Sequence, residues 1–168
     1  MPHKFSNTLV AVDPAGDVVA TYRKQHLYDA FGAQESEWVV PGPGRAPDLR
    51  GRRDRGLQTC YDLRFPQARA CGRRGGARGP RRVGPRRGAR TTLLAARAIE
   101  NTLYVAAADH PPAIGVGASA VIDPMGVTIA GLGETTGVAV AEVSSARVRE
   151  VRERNPALRL RRYGVTPL

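Results

Sequence analysis

The sequence predicts an α/β domain of the layered α+β kind, on three observations. Short β-rich segments alternate with helix candidates along the 168 residues, an order typical of layered mixed folds. Turn sequences containing Pro, Gly and Asp separate several β-rich segments in pairs, which predicts hairpins. The length suits a single domain over residues 1–168 and is sufficient for a sizeable core.

The first half of the chain is predicted to contain one hairpin, one long loop and one short strand. The hairpin covers Asn7 to Tyr22, with its turn at Pro14-Ala-Gly16. Residues 24–44 follow as a loop that ends in Pro-Gly-Pro-Gly, and long loops in compact domains are often functional. The run from Gly56 to Cys60 is strand-like and leads into a polar turn.

The second half is predicted to be more regular. Helices are expected from Thr91 to Glu100, with Leu94 and Ala98 on one face, and from Ser144 or Ser145 to Glu153, before Pro156. The β segments expected are a buried strand at Leu103–Ala108, a hairpin at Ser119–Ala130 and a strand at Gly137–Val143, with an extended tail from Ala157 to Leu168.

The net positive charge is concentrated in two windows. Residues 45–55 hold five Arg against two Asp, and residues 72–90 hold eight Arg and no acid. Together they account for the whole net charge of +11, so a domain-wide electrostatic argument for nucleic-acid binding loses its force. Apart from Val83, residues 72–90 are only Arg, Gly, Pro and Ala. Because such segments bury too little apolar surface to offset their ordering entropy, we expect both windows to be disordered inserts.

Composition excludes several classes. No apolar stretch approaches the roughly 20 residues of a membrane helix, and residues 1–9 lack a signal-peptide pattern, so we expect no membrane partner and a cytoplasmic location. Cys60 and Cys71 are too few for a disulfide scaffold and have no metal-ligand spacing around them. We therefore expect no metal site.

Three motifs carry the chemistry. They are Tyr22-Arg-Lys24-Gln-His-Leu-Tyr-Asp29, Gln34-Glu35-Ser36 and Cys60-Tyr-Asp-Leu-Arg-Phe-Pro66. In type and order they resemble the nitrilase, or carbon–nitrogen hydrolase, superfamily, over residues 5–44, 56–70 and 91–165. The resemblance implies an incomplete form of that family's four-layer α-β-β-α sandwich, which usually assembles into dimers or larger homo-oligomers. It also implies hydrolysis of a small non-peptide amide without a cofactor.

The resemblance assigns roles to individual residues. Cys60 would attack the substrate carbon and form a thioester. Lys24 and the backbone N–H of Tyr61 would stabilise the oxyanion. Glu35 would orient the lysine or the substrate. Asp62 and Arg64 are expected to brace the Cys60 turn, and His26 to pack or hydrogen-bond locally.

Taken one at a time, the same residues have simpler readings. A lone Cys after a strand is usually a small buried apolar residue. Lys24 alone would be a solvated surface charge, and Glu35 alone an ordinary loop acid. The motif around Cys60 favours the catalytic role for that residue, whereas Cys71 borders the second Arg-rich window and is expected to be incidental.

The family's general base is a further glutamate that precedes the lysine motif, and this chain has no Glu before Glu35. Only Asp13 and Asp17 precede Lys24, both in the predicted hairpin. The chain therefore resembles an N-terminally truncated member, for which we expect little or no hydrolysis.

We hypothesise that the two Arg-rich windows are read in a shifted frame. Codons for Arg, Gly, Pro and Ala consist largely of G and C, so a GC-rich gene read out of frame gives this composition. Read one base later, residues 74–84 permit Glu-Val-Val-Leu-Val-Val-Pro-Ala-Ala-Trp, which resembles the apolar strand that the family has after its nucleophile. The same shift over residues 46–56 permits a second β-rich run. We expect the chain as written to fold poorly or to aggregate.

A second function class is a basic nucleic-acid-binding protein. Arg-Gly-rich segments bind RNA through disordered, salt-sensitive contacts. Residues 72–90 have the charge but lack Phe, Tyr and Trp for base stacking. We therefore expect nucleic-acid binding to be adventitious only.

Overall fold

The computed structural model describes residues 3–43, 56–67, 76–78, 87–112 and 114–164. The chain begins with an antiparallel hairpin of β1 (Thr8–Val12) and β2 (Val18–Arg23). Its turn is closed by Asp13, whose Oδ1 accepts hydrogen bonds from the backbone N–H groups of Ala15 and Asp17 at 2.9 and 3.1 Å. The predicted first hairpin is confirmed, and its turn chemistry is that of an Asx turn.

The predicted loop over residues 24–44 is more ordered than expected where it is described. It contains a two-residue hairpin of β3 (Asp29–Ala30) and β4 (Ala33–Gln34), followed by a 3-10 helix at Glu35–Glu37. An isolated bridge from Phe5 to Val39 returns the segment to the start of the chain. These contacts hold Glu35 beneath the surface of the domain.

The centre of the fold is a five-stranded sheet in the order β5-β6-β7-β8-β9. The first three strands are parallel to one another, β8 runs antiparallel to β7, and β9 runs antiparallel to β8. The bounds are β5 Leu57–Thr59, β6 Gly76–Arg78, β7 Val105–Ala108, β8 Ala120–Ile122 and β9 Thr128–Gly131. The strand predicted before Cys60, the buried strand and the second hairpin are thus all confirmed.

Two α-helices pack near this sheet. Helix α1 (Arg87–Asn101) begins before the predicted Thr91, and α2 (Ser145–Arg154) is capped by Ser144, whose Oγ accepts from the N–H groups of Ala146 and Arg147. The core lies between α1 and the sheet, and consists of Leu63, Leu94, Ala98, Leu103, Val105, Ala107 and Ile122. The apolar face predicted for α1 is the face that forms this core.

Two expectations differ from the structure. The strand predicted at Gly137–Val143 is wrong: among the described residues it pairs with no strand, and Val138 and Val140 are 85% and 83% exposed. In the second Arg-rich window, Gly76–Arg78 forms the strand between β5 and β7, and residues 87–90 belong to α1, so these residues are not disordered. The remainder of that window and residues 45–55 lie outside the described residues.

The backbone explains the position of the central strand. A parallel strand in the interior of a sheet gains hydrogen bonds on both edges, and Gly76–Arg78 pairs with both β5 and β7.

In the part of the chain that the structure describes, no helix is long and apolar enough to cross a membrane.

Candidate functional site

Cys60 lies where β5 ends and a 3-10 helix (Cys60–Arg64, the Cys60 turn) begins. Its φ is 56°, in the left-handed region, which costs a non-glycine residue roughly 1–2 kcal/mol. Strained backbone of this kind clusters at functional sites because the surrounding structure has to hold it in place. The Cys60 turn is held in this way by its neighbours.

Asp62 is the main brace of the Cys60 turn. Its carboxylate is fully buried and accepts four hydrogen bonds. The donors are Tyr22 Oη at 2.7 Å, the backbone N–H of His26 at 3.0 Å, His26 Nδ1 at 2.7 Å and the N–H of Thr59 at 3.0 Å. Asp62 therefore ties the end of β2 to the Cys60 turn, as the sequence analysis expected of a bracing residue.

The sequence analysis expected Arg64 to brace the Cys60 turn beside Asp62, but the arginine that donates a hydrogen bond to the turn is Arg97. Arg64 is exposed, and its guanidinium lies 6.0 Å from the centre of the Tyr61 ring. Arg97 on α1 is 4% exposed and donates from Nε to the carbonyl of Leu63 at 3.0 Å. Sequence reasoning missed Arg97, although an Arg beside Leu94 and Ala98 on an apolar helix face was the available signal.

Lys24 and Glu35 form a buried ion pair. Their side chains are 2% and 8% exposed, and Lys24 Nζ donates to Glu35 Oε2. Glu35 also accepts from the backbone N–H of Tyr28 at 2.6 Å and from Asn7 Nδ2 at 3.4 Å. The readings of Lys24 as a solvated charge and of Glu35 as an ordinary loop acid therefore do not hold.

The chain beyond Lys24 is fixed by a close backbone approach. The N–H of Gly42 donates to the Lys24 carbonyl at 2.8 Å, and the N–H of Lys24 donates to the Asn7 carbonyl at 2.9 Å. A Cβ at position 42 would overlap the carbonyl oxygen of Arg23. Glycine is thus required here, in the Pro-Gly-Pro-Gly sequence, because no side chain fits between the two backbone segments.

The thiol of Cys60 lies within electrostatic range of that ion pair. Burial raises the pKa of Cys60 to about 11, while the Lys24 ammonium lowers it and the Glu35 carboxylate raises it. A hydrogen bond from the backbone N–H of Tyr61 also favours the thiolate and lowers the pKa. The structure therefore brings together Cys60, Lys24, Glu35 and the Tyr61 N–H, the four groups that the sequence singled out.

Neither carboxylate that acts on the thiol is available to take its proton. Glu35 is engaged by Lys24, and Asp62 by its four donors. Asp13, which precedes Lys24 in sequence, closes the turn of the first hairpin. Among the described residues, both carboxylates that act on the pKa of Cys60 are therefore held by other donors.

An aromatic cluster that the sequence analysis did not identify surrounds the Cys60 turn. The His26 ring stacks on Phe65 with 3.8 Å between ring centres. Tyr61 meets Phe65 and Tyr28 edge-on at 5.3 and 5.0 Å. His26 thus packs and hydrogen-bonds locally, as expected, and the stacked and edge-on rings tie the Cys60 turn to the segment that follows Lys24.

The described residues contain no group of three or more His, Cys, Asp or Glu side chains that could hold a metal ion. Cys60 is a free thiol, and Cys71 lies outside the described residues. The site as described consists of a thiol, a buried ammonium–carboxylate pair and backbone donors.

Comparison with known proteins decides the family. The family model for carbon-nitrogen hydrolases matches residues 2–153. The chain belongs to the carbon–nitrogen hydrolase family. It shares its fold with solved members: over 94% of this chain and 42% of the Caenorhabditis elegans NitFhit chain, the TM-score is 0.83 at 32% identity.

Two curated relatives are from Escherichia coli. The chain is 42% identical to the putative protein YbeM of strain K12, over 96% of its own length and 90% of YbeM. It is also 42% identical to the deaminated glutathione amidase of O157:H7, again over 96% of its own length. It spans only 64% of that second relative. The nitrilase-type fold and the hydrolase family that the sequence predicted are confirmed.

Proposed function

We propose that this chain carries the nucleophile half of an amidase site, in which Cys60 forms a thioester with a small amide. The observation that supports this most is electrostatic. A half-buried thiol on a strained turn lies close enough to the Lys24–Glu35 pair for both charges to act on its pKa. A merely structural cysteine would have no need of a buried ammonium, since burying that charge is costly.

The proposed reaction has two steps. The Cys60 thiol gives its proton to a base, and the sulfur attacks the amide carbon to form a tetrahedral oxyanion. Lys24 and the Tyr61 N–H stabilise that oxyanion, the C–N bond breaks, and the leaving nitrogen takes the proton. Water then attacks the thioester, which releases the carboxylic acid and restores the thiol.

Glu35 is proposed to position Lys24 rather than to act as the base. Its two oxygens already accept hydrogen bonds from Lys24, Tyr28 and Asn7. With a thiol pKa of about 11, very little thiolate exists at neutral pH. We therefore expect the chain alone to hydrolyse amides far below the 1–1000 per second that is typical of enzymes.

The proposed substrate class is a small non-peptide amide. The O157:H7 relative is named for deaminated glutathione, which makes that amide the first compound to assay. The aromatic cluster of Tyr28, Tyr61 and Phe65 would pack against the apolar part of such a substrate.

The experiment is to trap the thioester. The chain is incubated with an activated ester of a small carboxylic acid, and the adduct is located by peptide mass spectrometry. We expect an acyl group on Cys60 in the wild type and in the matched control Cys71→Ala, and none in Cys60→Ala. Acylation of Cys60 that is no slower in Lys24→Met than in the wild type would contradict the proposed role, because Lys24 is proposed to stabilise the oxyanion. Hydrolysis at an ordinary enzymic rate that Cys60→Ala abolishes would contradict the expected inactivity.

The nucleic-acid alternative has no support from the comparisons, which match hydrolases. Filter binding across a salt series distinguishes adventitious from specific nucleic-acid binding, because binding through contacts of Arg with phosphate alone weakens steeply with salt. Tight, sequence-selective binding at physiological salt would favour that alternative.

A further inference from the structure

Helix α2 and the tail that follows it form a basic surface. Residues 145–162 hold seven Arg against two Glu. Some of these arginines have partners in the fold, since Arg147 and Arg154 pair with Glu150, and Arg161 donates to a backbone carbonyl of α1 at 2.9 Å. Three of the other four arginines line a single cavity, so the charge that is left over is concentrated in one place.

This cavity has a volume of about 360 Å³ and lies between the C-terminal half of α2 and the turn that begins at Pro156. Its charged lining consists of Arg149, Arg152, Glu153 and Arg159. The N–H of Arg159 donates to the Pro156 carbonyl at 2.8 Å, and this turn places Arg159 at the same cavity as the helix. The volume is in the range of roughly 300–1,000 Å³ that is usual for small-molecule sites.

Arg152 is fixed in position at this cavity. Its Nε donates to Thr102 Oγ1 at 3.0 Å, and its Nη2 donates to the Asn101 carbonyl at 3.4 Å. Both bonds anchor the guanidinium to the C-terminal end of α1. Because the side chain is already ordered, a ligand that bonds to Arg152 does not have to immobilise it, and binding loses less conformational entropy.

Arg149 and Arg159 carry charge that the fold leaves uncompensated. In the part of the chain that the structure describes, neither forms an ion pair, and Arg149 donates a long hydrogen bond of 3.4 Å to Ser145 Oγ. Three guanidiniums and the Glu153 carboxylate give the cavity a net charge of +2. The negative end of α2 offsets only about half a charge, so the cavity favours an anion with more than one charge.

We propose that this cavity binds the phosphate group of a small molecule. A guanidinium presents a planar set of donors that matches phosphate oxygens in pairs. A phosphate monoester carries about 1.5 to 2 negative charges at pH 7, whereas a carboxylate carries one. No described residue that lines the cavity is aromatic, so it lacks the stacking platform typical of a site for single-stranded nucleic acid. None of the lining residues belongs to the Cys60 turn, and the inference is independent of the proposed amidase function.

Isothermal titration calorimetry of the full chain with inorganic pyrophosphate at physiological salt tests the site. We expect saturable binding, and the double variant Arg149→Gln with Arg159→Gln should weaken it at least about tenfold, because charge-assisted hydrogen bonds are lost. The matched control is Arg154→Gln with Arg162→Gln, which removes the same charge from α2 and the tail outside the cavity and should bind like the wild type. Glu153→Gln should tighten binding, since it removes the one negative side chain of the cavity.

Modification by phenylglyoxal, read by peptide mass spectrometry, gives a second measurement on the unaltered chain. Pyrophosphate should protect Arg149 and Arg159 more than Arg162, which is exposed and lies outside the cavity. Equal protection of all three, or an equal loss of affinity in the two double variants, would show general attraction to a basic surface and would overturn the site. Absence of saturable binding would overturn it as well.

Two further arms identify the occupant and separate the site from the amidase proposal. A single-stranded oligonucleotide that protects Arg149 and Arg159 where pyrophosphate does not would show that nucleic acid is the occupant, and would overturn the choice of a small molecule. Cys60→Ala should bind pyrophosphate as the wild type does. Pyrophosphate binding that Cys60→Ala abolishes would contradict a site separate from the Cys60 turn.

Discussion

Tyr22 donates a hydrogen bond from its hydroxyl to Asp62 Oδ2 at 2.7 Å, across 40 residues of sequence. Tyr22 lies two residues before Lys24, and Asp62 lies two residues after Cys60. This bond therefore sets the distance between the strand end that carries the ammonium and the turn that carries the thiol. Both partners are buried, so water does not compete for the bond.

Asp62→Asn should destabilise the chain through this network. An amide group replaces one carboxylate oxygen, so at least one buried donor loses its acceptor, at about 1–3 kcal/mol for each unsatisfied group. Tyr22→Phe removes a single donor and leaves three, so its cost should be nearer 1 kcal/mol. Urea unfolding followed by circular dichroism measures both. Equal stability of Asp62→Asn and the wild type would show that Asp62 does not hold the turn.

Alkylation of Cys60 should be slow at moderate pH. With a pKa of about 11, the folded thiol at pH 8.5 is about a hundredfold less ionised than a free cysteine. Iodoacetamide rates in buffer and in urea, read by peptide mass spectrometry, measure the difference. Lys24→Met should shift the alkylation midpoint to still higher pH, because the ammonium lowers the pKa. A midpoint below pH 8.5 in the folded wild type would contradict the burial argument.

Glu35→Gln should unfold the chain more easily because it leaves the Lys24 ammonium buried without its counter-charge. Breaking one side of a buried pair costs about 3–5 kcal/mol, a large share of the 5–15 kcal/mol typical of a domain. The double variant Lys24→Met with Glu35→Gln should be more stable than Glu35→Gln, since no charge is then buried. Denaturant midpoints measure the difference, and a double variant less stable than Glu35→Gln would refute the prediction.

The frameshift hypothesis predicts that β6 improves when the shifted-frame residues are restored. Gly76→Val, Ala77→Leu and Arg78→Val together should raise stability, because strand propensity alone is worth up to about 1 kcal/mol at a position and glycine weakens a strand interior. Gly131→Val on the edge strand β9 is the matched control and should gain less. Thermal melting compares them, and a broad melt of the wild type beside a sharp melt of the triple variant is expected.

The gene itself gives a direct check of the same hypothesis. Sequencing through codons 45–56 and 72–92 should show reading frames that encode apolar strands one base away. An unambiguous in-frame sequence whose shifted frames encode no such strand would reject the hypothesis, and the triple variant would then be an ordinary stabilising change.

The sequence by itself determined the family, the first and last hairpins and both helices, and it named the four candidate site groups, because these depend on local signals. Turn residues, helix caps and the spacing of Lys24, Glu35 and Cys60 are all written within short stretches of chain. Periodicity also predicted a strand at Gly137–Val143, and there it was wrong, because a strand exists only where another strand pairs with it. Residue type in 72–90 gave no sign of β6, whose backbone is held by its neighbours β5 and β7.

Only the tertiary structure decided what surrounds each group. It buried the Lys24–Glu35 pair, joined Tyr22 to Asp62, set Arg97 beneath the Cys60 turn and raised the pKa of the thiol. Those properties depend on residues 11 to 40 positions apart meeting in a region of low dielectric constant, where desolvation and charge act strongly. No local pattern encodes that meeting, because it is the packing of the sheet, the loop and α1 that excludes the water.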